Sequence, residues 1–574
     1  MSAVFLPALT ALTGLATHPR GLVDPVVPVV PAGAPEIDID WSALGPVVMV
    51  LGAAVASTLI EAAASRQKDK DQRLAVQPAY LRVIQAAVAL VSVAAAALMA
   101  LQLAVKVHGE DGSAVLTANG AVIVDPLTIY IQLAVAVCAL LGLFVIADRT
   151  VQGDDAFAPQ ASAVPGSDYE NKARRRGMTQ TDVYPLVLFA TGGMMLFPAA
   201  GDLITMFVAL EVLSLPLYLL AGMARHRRLL SQEASLKYFL LGAFGSAFFL
   251  FGGAWVYGAT GSLKLLEIGA AVSGATPLDP ILLVGLVLIL VGLFFKVGAV
   301  PFHSWTPDVY QGSPTPITGF MAACTKIAAF GVLLRVLYAV VPGLTWDLEP
   351  VLWTVSVLTM VVGTVIGLVQ KDVKRMLAYS AIAHAGFILT GVTSMSADGL
   401  SGSLFYLFTY GVATIGGFGV IALVREVDSD GHLRGEATGL DQWRGLGKRS
   451  PVLAGTFAIF LLSFAGIPLT SGFVAKFAVF GAAFASGASP LAVVGLACSA
   501  AAAFFYARVI VAMFFEEAPD ATGQLAESGG IGIGVRTLGL TQIAIGVSLA
   551  FTLVLGIVPG WFLSFTEGLS RLLS

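Results

Sequence analysis

Charged residues are scarce in this sequence, and their scarcity excludes a water-soluble domain. Only 12% of the 574 residues are charged, against roughly 25% in soluble domains. The three cysteines lie far apart, and neither a CxxC pair nor a Rossmann glycine fingerprint is present, so we expect no disulfide scaffold and no cofactor on this chain. The net charge of −4 provides no basic surface for nucleic acid. With 57% hydrophobic residues and a mean hydropathy of +0.86, the sequence predicts a polytopic membrane protein.

Long apolar runs occupy most of the chain. A helix needs about 20 apolar residues to cross the hydrocarbon core of a bilayer. By that measure the sequence predicts an all-α fold of about fourteen membrane spans. These spans are, in order, 43–64, 83–105, 126–147, 183–199, 202–223, 235–258, 281–299, 314–340, 351–369, 376–394, 402–424, 452–485, 490–514 and 538–563.

Basic residues are distributed unequally between the two sides of the predicted bundle. Loops that follow odd-numbered spans carry 22 Lys and Arg residues, whereas the opposite loops carry 4. Because cytoplasmic loops are enriched in Lys and Arg, we expect both termini to lie outside the cytoplasm. The sequence thus predicts an extracytoplasmic segment over 1–42, three spans over 43–147, and a flexible cytoplasmic loop over 148–182.

Six basic residues and the mid-span Glu211 stand out within the predicted spans. Arg335 and Arg508 lie near span ends, where a long side chain can extend to the interface. The others are Glu211, Lys237, Lys296, Lys326 and Lys476, and an ionisable group at the bilayer centre costs at least ~3 kcal/mol unless it faces protein or water. We expect Glu211 and Lys237 to form an ion pair, because they lie on neighbouring spans joined by a short loop.

These buried charges suit a proton relay. Burial disfavours the charged form of a lysine and a nearby carboxylate favours it, so a lysine whose acidic partner moves away can release its proton. His384 is the only histidine predicted within a span and could pass a proton along the same route. The alternatives are that each lysine is a static ion pair or lies at a misplaced span boundary, and that His384 is a neutral core residue.

Two prolines interrupt spans that carry lysines. Pro301 cannot donate to the Val297 carbonyl, and Pro468 leaves the Phe464 carbonyl free. Such carbonyls are tolerated at membrane depth only where protein or a wet cavity satisfies them. Broken helices at matching places are typical of transporter repeats, so we interpret 183–340 and 351–514 as two five-helix repeats, inverted because five is odd. A last span, 538–563, follows the second repeat.

One segment is similar to a known family. The run FFKVGAVPFHSWTPDVYQGSPTPITGFMAACTKIAAF (294–330) resembles the antiporter-like membrane subunits of respiratory complex I. Its sequence PFHSWTPDVYQGSPTP resembles the N family of bacterial NADH–quinone oxidoreductase rather than the L, M or Mrp-type paralogues. Lys476 also resembles the N family, since M-type subunits have a similar pattern with a glutamate at this position. The similarity covers roughly 40–565; the longer N-terminal segment and the 150–181 insert depart from it.

The resemblance implies roles for individual residues. Glu211 matches the glutamate of the fifth span, and Lys237 matches the sixth-span lysine that partners or modulates it. Lys296 matches the central lysine of the broken seventh helix. The remaining matches are the linking lysine of the eighth span, the histidine between the two halves and the lysine of the broken twelfth helix; in this sequence they are Lys326, His384 and Lys476.

The resemblance also implies a function: a proton-translocating membrane subunit of a type I NADH–quinone oxidoreductase in the bacterial cell membrane. FMN, iron–sulfur clusters and quinone are then expected in partner subunits, namely the peripheral redox arm and neighbouring membrane subunits. Three alternatives stay open at this point. They are an Mrp-type Na⁺/H⁺ antiporter subunit, a purely structural membrane subunit, and a photosynthetic-type relative that takes electrons from ferredoxin.

Overall fold

The computed structural model places most of the chain in helices. It describes residues 38–64, 79–109, 114–150, 155–158, 167–169, 172, 180–274, 279–340, 344–427, 433–517, 531–535 and 537–571. Nearly all of the predicted extracytoplasmic segment and most of the predicted 148–182 loop lie outside these residues. The helices and strands named below belong to one unit, Asp40–Ser574.

The first group of elements runs as far as the eighth predicted span. Its members are α1 (Trp41–Ala64), α2 (Ala79–Gly109), strands β1 (Val115–Thr117) and β2 (Val122–Val124), α3 (Pro126–Ala147), α4 (Val183–Leu196), α5 (Leu203–Ala221), α6 (Arg228–Thr260), α7 (Leu265–Gly274), α8 (Pro280–Val297), α9 (Trp305–Gly312), α10 (Thr315–Phe320) and α11 (Lys326–Val340). A π-helical turn, Met321–Thr325, joins α10 to α11.

The second group completes the chain. Its members are α12 (Thr345–Leu368), α13 (Val373–Thr393), α14 (Ala397–Leu423), strands β3 (Val424–Val427) and β4 (Leu433–Glu436), α15 (Leu446–Arg449), α16 (Pro451–Ala465), α17 (Ser471–Ala485), α18 (Ser489–Phe515), strand β5 (Ile531–Gly534), α19 (Leu540–Ile557) and α20 (Gly560–Arg571).

The helices agree with the predicted spans. Within the described residues, twelve helices are long and apolar enough to cross a membrane. The shorter Val183–Ala199 segment fills the fourth predicted span, and the pair α16 and α17 fills the twelfth. The all-α membrane fold is therefore confirmed, with a helix or a broken helix at each of the fourteen predicted spans.

Both predicted helix breaks are present. The helix in the seventh predicted span ends at Val297 with Gly298 at φ 76°, and the chain becomes helical again at Trp305. The twelfth is interrupted at Gly466, φ 83°, and resumes at Ser471. Glycine adopts these left-handed conformations without a steric penalty, and the proline that follows each of them prevents the helix from continuing.

Three helices in the middle of the chain are enclosed by the rest of the bundle. The most apolar stretches of 315–338, α13 and α14 are buried along their whole length, whereas those of α1, α6 and α18 are 39% buried. A helix that is apolar all round and surrounded by other helices forms the interior of a bundle. Charged residues on the enclosed helices therefore face protein rather than lipid.

Arg335 is a charged residue that is paired within this interior. Its side chain is 5% exposed and its Nη2 lies 2.7 Å from an oxygen of Asp125, which is 8% exposed. Its Nε also donates to the Pro198 carbonyl. Asp125 and Pro198 lie at the ends of the third and fourth predicted spans, so Arg335 reaches the level of the span ends and is paired there within the protein. Arg508 also bonds at a span end: its Nη1 donates to the Leu368 carbonyl, at the end of α12.

Two small sheets, which the hydropathy pattern did not predict, lie between the helices. Strands β1 and β2 form an antiparallel hairpin before α3. Strand β3 lies between β4 and β5, antiparallel to both. This second sheet brings Glu436 of β4 to Thr315 at the start of α10 and to Lys374 of α13. The sheet thus ties the ends of two interior helices together.

Candidate functional site

Lys296 lies next to the last residue of α8, immediately before the first helix break. It is 3% exposed. Its Nζ donates to Ser214 Oγ on α5 at 2.6 Å, and it lies 5.7 and 5.6 Å from the ring centroids of Tyr218 and Tyr238. Ser214 comes one turn after Glu211, whose carboxylate is within electrostatic reach of the ammonium group. Hydroxyl and aromatic groups, rather than a bonded acid, surround this lysine.

Lys237 does not pair with Glu211, so that prediction is wrong. The Lys237 side chain is 42% exposed and binds Glu233 at 2.6 Å and Asp308 at 2.8 Å. Glu211 itself forms no ion pair with any residue that the structure describes. The Glu211 carboxylate acts on Lys296 electrostatically, without a hydrogen bond between them.

Lys326 begins α11, directly after the π-helical turn. It is 6% exposed, and its Nζ donates to the Ala381 carbonyl of α13. The ring centroid of Tyr410 lies 5.5 Å from the same atom. Single π-helical turns are frequent at functional sites because the extra residue alters the direction of the side chains that follow. Here the turn directs a lysine toward the enclosed helix that carries His384.

His384 lies within α13 and is 2% exposed. Its Nδ1 is 2.7 Å from the Tyr406 hydroxyl, and its Nε2 is 3.2 Å from the Tyr506 hydroxyl. The ring stacks on Tyr410, with centroids 4.6 Å apart. The Tyr506 hydroxyl also bonds to Ser380, one turn earlier on α13. Both ring nitrogens therefore have hydroxyl partners that can donate or accept.

Lys476 lies on α17, after the second helix break, and is 5% exposed. Its Nζ donates to the Phe464 carbonyl at 2.8 Å and to the Ala465 carbonyl at 3.0 Å. It donates to Ser499 Oγ at 2.7 Å as well. The Phe464 carbonyl, which Pro468 was expected to leave free, therefore accepts from the lysine of the same broken span.

Sequence reasoning missed the polar partners of these groups. Serine and tyrosine are ordinary in membrane helices, so their presence alone gave no signal. Their spacing gave a usable signal. Glu211, Ser214 and Tyr218 lie along one face of α5, and Tyr406 and Tyr410 are four residues apart on α14. Residues three, four and seven apart share a helix face, so spacing from each predicted charge could have identified these partners.

The fold and these buried groups define a class of polytopic, antiporter-like membrane protein. The family model described as NADH:quinone oxidoreductase/Mrp antiporter, TM, matches residues 200–501, which include every predicted site residue. The Thermus thermophilus respiratory complex I with bound aureothin contains a chain of similar structure. That chain is 33% identical with a TM-score of 0.67, and the match covers 90% of this chain and 98% of that one.

Two further comparisons separate the members of this class. A chain of the Mrp complex from Dietzia sp. matches with a TM-score of 0.73 at 23% identity, covering 93% of this chain and 98% of that one, which shows the fold alone. NADH-quinone oxidoreductase subunit N of Beutenbergia cavernae is 56% identical over 91% of this chain and 96% of its own length. The chain belongs to the NADH-quinone oxidoreductase subunit N family.

Proposed function

We propose that this chain moves protons across the bacterial cell membrane as the N-type subunit of a NADH–quinone oxidoreductase. The supporting observation is a set of three lysines, each at most 6% exposed. Within the described part of the chain their ammonium groups bond to neutral oxygens and to no carboxylate; they are Lys296, Lys326 and Lys476. Buried charges without acidic partners are costly, and in membrane helices they mark ion pathways.

The proposed route runs from the cytoplasmic side toward Lys296, through Lys326 and His384, to Lys476 and the outer face. Short contacts support its second half. Lys326 bonds to the Ala381 carbonyl, less than one turn before His384 on α13. The Phe464 ring lies 5.7 Å from the His384 ring, and the carbonyl of the same residue accepts from Lys476. His384 therefore lies between the two lysines.

The energy for this movement comes from elsewhere in the complex. Moving one charge against ~100 mV requires ~2.3 kcal/mol, so quinone reduction in other subunits drives the changes in charge. We place FMN, iron–sulfur clusters and quinone in those partners, which are the peripheral redox arm and the neighbouring antiporter-like and small membrane subunits. Glu211 contributes here by changing the electrostatic environment of Lys296. Both termini lie outside the cytoplasm in this arrangement.

Replacing Lys296 tests the proposal directly. We expect Lys296→Ala to abolish NADH-driven acidification of inverted membrane vesicles, while the complex still assembles. Lys264→Ala is the matched control, because Lys264 is 52% exposed and pairs only with Glu267 among the described residues. Acidification at the wild-type rate by Lys296→Ala would contradict the proposal.

Glu211 provides a graded version of the same test. We expect Glu211→Ala to lose acidification because the carboxylate that acts on Lys296 is removed. Glu211→Asp keeps the charge and should retain part of the activity. Acidification at the wild-type rate by Glu211→Ala would show that the charge of Glu211 has no role.

The partners of the chain separate the proposal from an Mrp-type antiporter. We expect a tagged chain, purified gently from its native membrane, to bring down flavin and iron–sulfur subunits that oxidise NADH. Recovery with small antiporter subunits and no redox proteins would reassign the chain to Na⁺/H⁺ exchange.

A further inference from the structure

Asp308 lies in the PDVYQG segment, which the proton route above does not use. It is in the first turn of α9, the part of the broken helix that follows Lys296. Its Oδ2 lies 2.8 Å from Lys237 Nζ on α6, and its Oδ1 lies 2.6 Å from Arg375 Nη1 on α13. Gln311, one turn later on α9, accepts from the same Nη1 at 3.0 Å. One carboxylate thus joins three helices.

The bond to Lys237 leads to the Lys296 site. Tyr238, the next residue on α6, stacks on Trp305 with centroids 4.7 Å apart and planes 10° from parallel. Trp305 begins α9 and donates its ring N–H to the Phe295 carbonyl at 2.9 Å. The Tyr238 ring also lies 5.6 Å from Lys296 Nζ. Movement of α9 against α6 therefore changes the aromatic surface that Lys296 faces.

The bond to Arg375 leads to the second half of the route. Arg375 is near the start of α13, and the same helix carries the Ala381 carbonyl that binds Lys326 and, further on, His384. Nine residues of helix separate Arg375 from His384, which is about 13 Å along the axis. Because α13 is enclosed on all sides, it transmits a displacement as a packed, rigid element.

Each cation that binds Asp308 also has a second partner. Lys237 bonds to Glu233 on its own helix at 2.6 Å, and Arg375 bonds to Gln311. Tyr379 of α13 also lies beside Arg375. Either bond to Asp308 can therefore break without leaving a cation without a hydrogen-bond partner, which lowers the cost of exchange between two arrangements. A carboxylate with two exchangeable cation partners on different helices is a two-position element of the kind that coupling between sites requires.

We infer that Asp308 is a positioning residue that couples the Lys296 site to the Lys326–His384 site, through its paired bonds to Lys237 and Arg375. The inference rests on the proposed proton route. It assigns to the acidic residue of PDVYQG a role that neither the buried lysines nor their immediate partners perform. Asp308 itself does not carry the proton.

The test compares Asp308→Asn with Asp308→Glu in the complete complex, in inverted membrane vesicles. The measured quantity is protons moved per NADH oxidised, normalised to the amount of assembled complex. We expect Asp308→Asn to oxidise NADH while this ratio falls about threefold or more; Asp308→Glu should restore most of it. Glu516→Gln is the control, because Glu516 is half-exposed and its carboxylate lies 2.8 Å from Arg444, outside the site. The protons moved per NADH in this variant should equal the wild-type value.

A wild-type ratio in Asp308→Asn would overturn the inference. Should that variant fail to assemble, Lys237→Gln, Arg375→Gln and their combination decide the matter, since each single variant leaves one bond to Asp308 intact. If Asp308 joins the two cations into one unit, the double variant is no worse than the poorer single variant. Losses that multiply would show independent roles and overturn the inference.

Lys296→Ala in the same membranes separates this inference from the function on which it rests. Normal pumping by Lys296→Ala overturns the proposed function. Lost pumping by Lys296→Ala, together with a wild-type ratio in Asp308→Asn, overturns only the role of Asp308.

Discussion

Replacing Asp125 with asparagine separates two roles of that residue and measures the buried ion pair with Arg335. Asp125 caps the N-terminus of α3 by accepting from the Thr128 amide at 2.8 Å, and asparagine is as good an N-cap as aspartate. The substitution therefore keeps the cap and removes only the charge that faces the guanidinium group. Both side chains are less than a tenth exposed.

The magnitude follows from what Arg335 retains. Breaking a buried pair by removing one partner costs about 3–5 kcal/mol, because the remaining charge is uncompensated. Arg335 keeps the Pro198 carbonyl and the Thr128 hydroxyl, the latter at 2.8 Å, so we expect the lower end, about 3 kcal/mol. Against a total stability of about 5–15 kcal/mol, this loss should lower the amount of chain in the membrane severalfold.

The assay is the amount of the chain in membranes, together with the half-denaturation temperature of the solubilised complex. Asp125→Asn should lower both. The double variant Asp125→Asn with Arg335→Met removes both charges, and should recover most of the loss because an apolar replacement of a buried pair is often neutral. Wild-type levels in Asp125→Asn alone would refute this reasoning.

Three other predictions concern single contacts. Ser499→Ala should lower proton movement more than chain abundance, because it removes the hydroxyl 2.7 Å from Lys476 Nζ; equal losses in both measurements would indicate a structural role only. Burial alone would raise the pKa of Glu436, but Lys374, Arg425 and Thr315 lower it from 4.5 to about 2. The stabilisation of about 3 kcal/mol is therefore complete above pH 4.5 and lost as the pH falls through about 2. The half-denaturation temperature should drop across that interval in wild type and drop less in Glu436→Gln, in which other paired carboxyls such as Asp308 still titrate. Gly252→Leu should lower chain abundance, because a Cβ there would lie 2.6 Å from the Gly285 carbonyl oxygen and force α6 away from α8; Gly258→Leu, with open space around it, should not.

Hydropathy and the rarity of charge predicted the fold and the breaks in it. Spans are determined by local composition, and a proline interrupts a helix whatever surrounds it, so breaks near Val297 and Ala465 could be predicted from the sequence alone. The lysines could be found in the same way because a cation inside a membrane is rare. Which groups they contact depends on how helices rotate and slide against one another, which composition does not encode.

The error over Glu211 and Lys237 shows that limit. The two residues lie on adjacent helices, as expected. Ser235 of α6, however, donates to the Tyr218 carbonyl of α5, and the Tyr218 and Tyr238 rings pack at 4.7 Å. Tyr218 is seven residues, or about 10 Å along the axis at 1.5 Å per residue, from Glu211, so these contacts hold the Lys237 part of α6 about two turns of helix away from Glu211. A short loop predicts that two helices are neighbours, but side-chain packing sets their register.

The two broken helices share one feature that bears on proton transfer. Ser214 accepts from Lys296 while its own hydroxyl donates to the Leu210 carbonyl. Ser499 accepts from Lys476 and donates to the Ala465 carbonyl. A hydroxyl can rotate to donate instead of accept, so each serine can bond to an ammonium group and, after the proton has left, to the lone pair of the neutral amine. Arginine could not replace either lysine, because it remains charged and has no acceptor. The pairing of lysine with serine at both breaks therefore suits groups that change protonation state better than groups that hold a permanent charge.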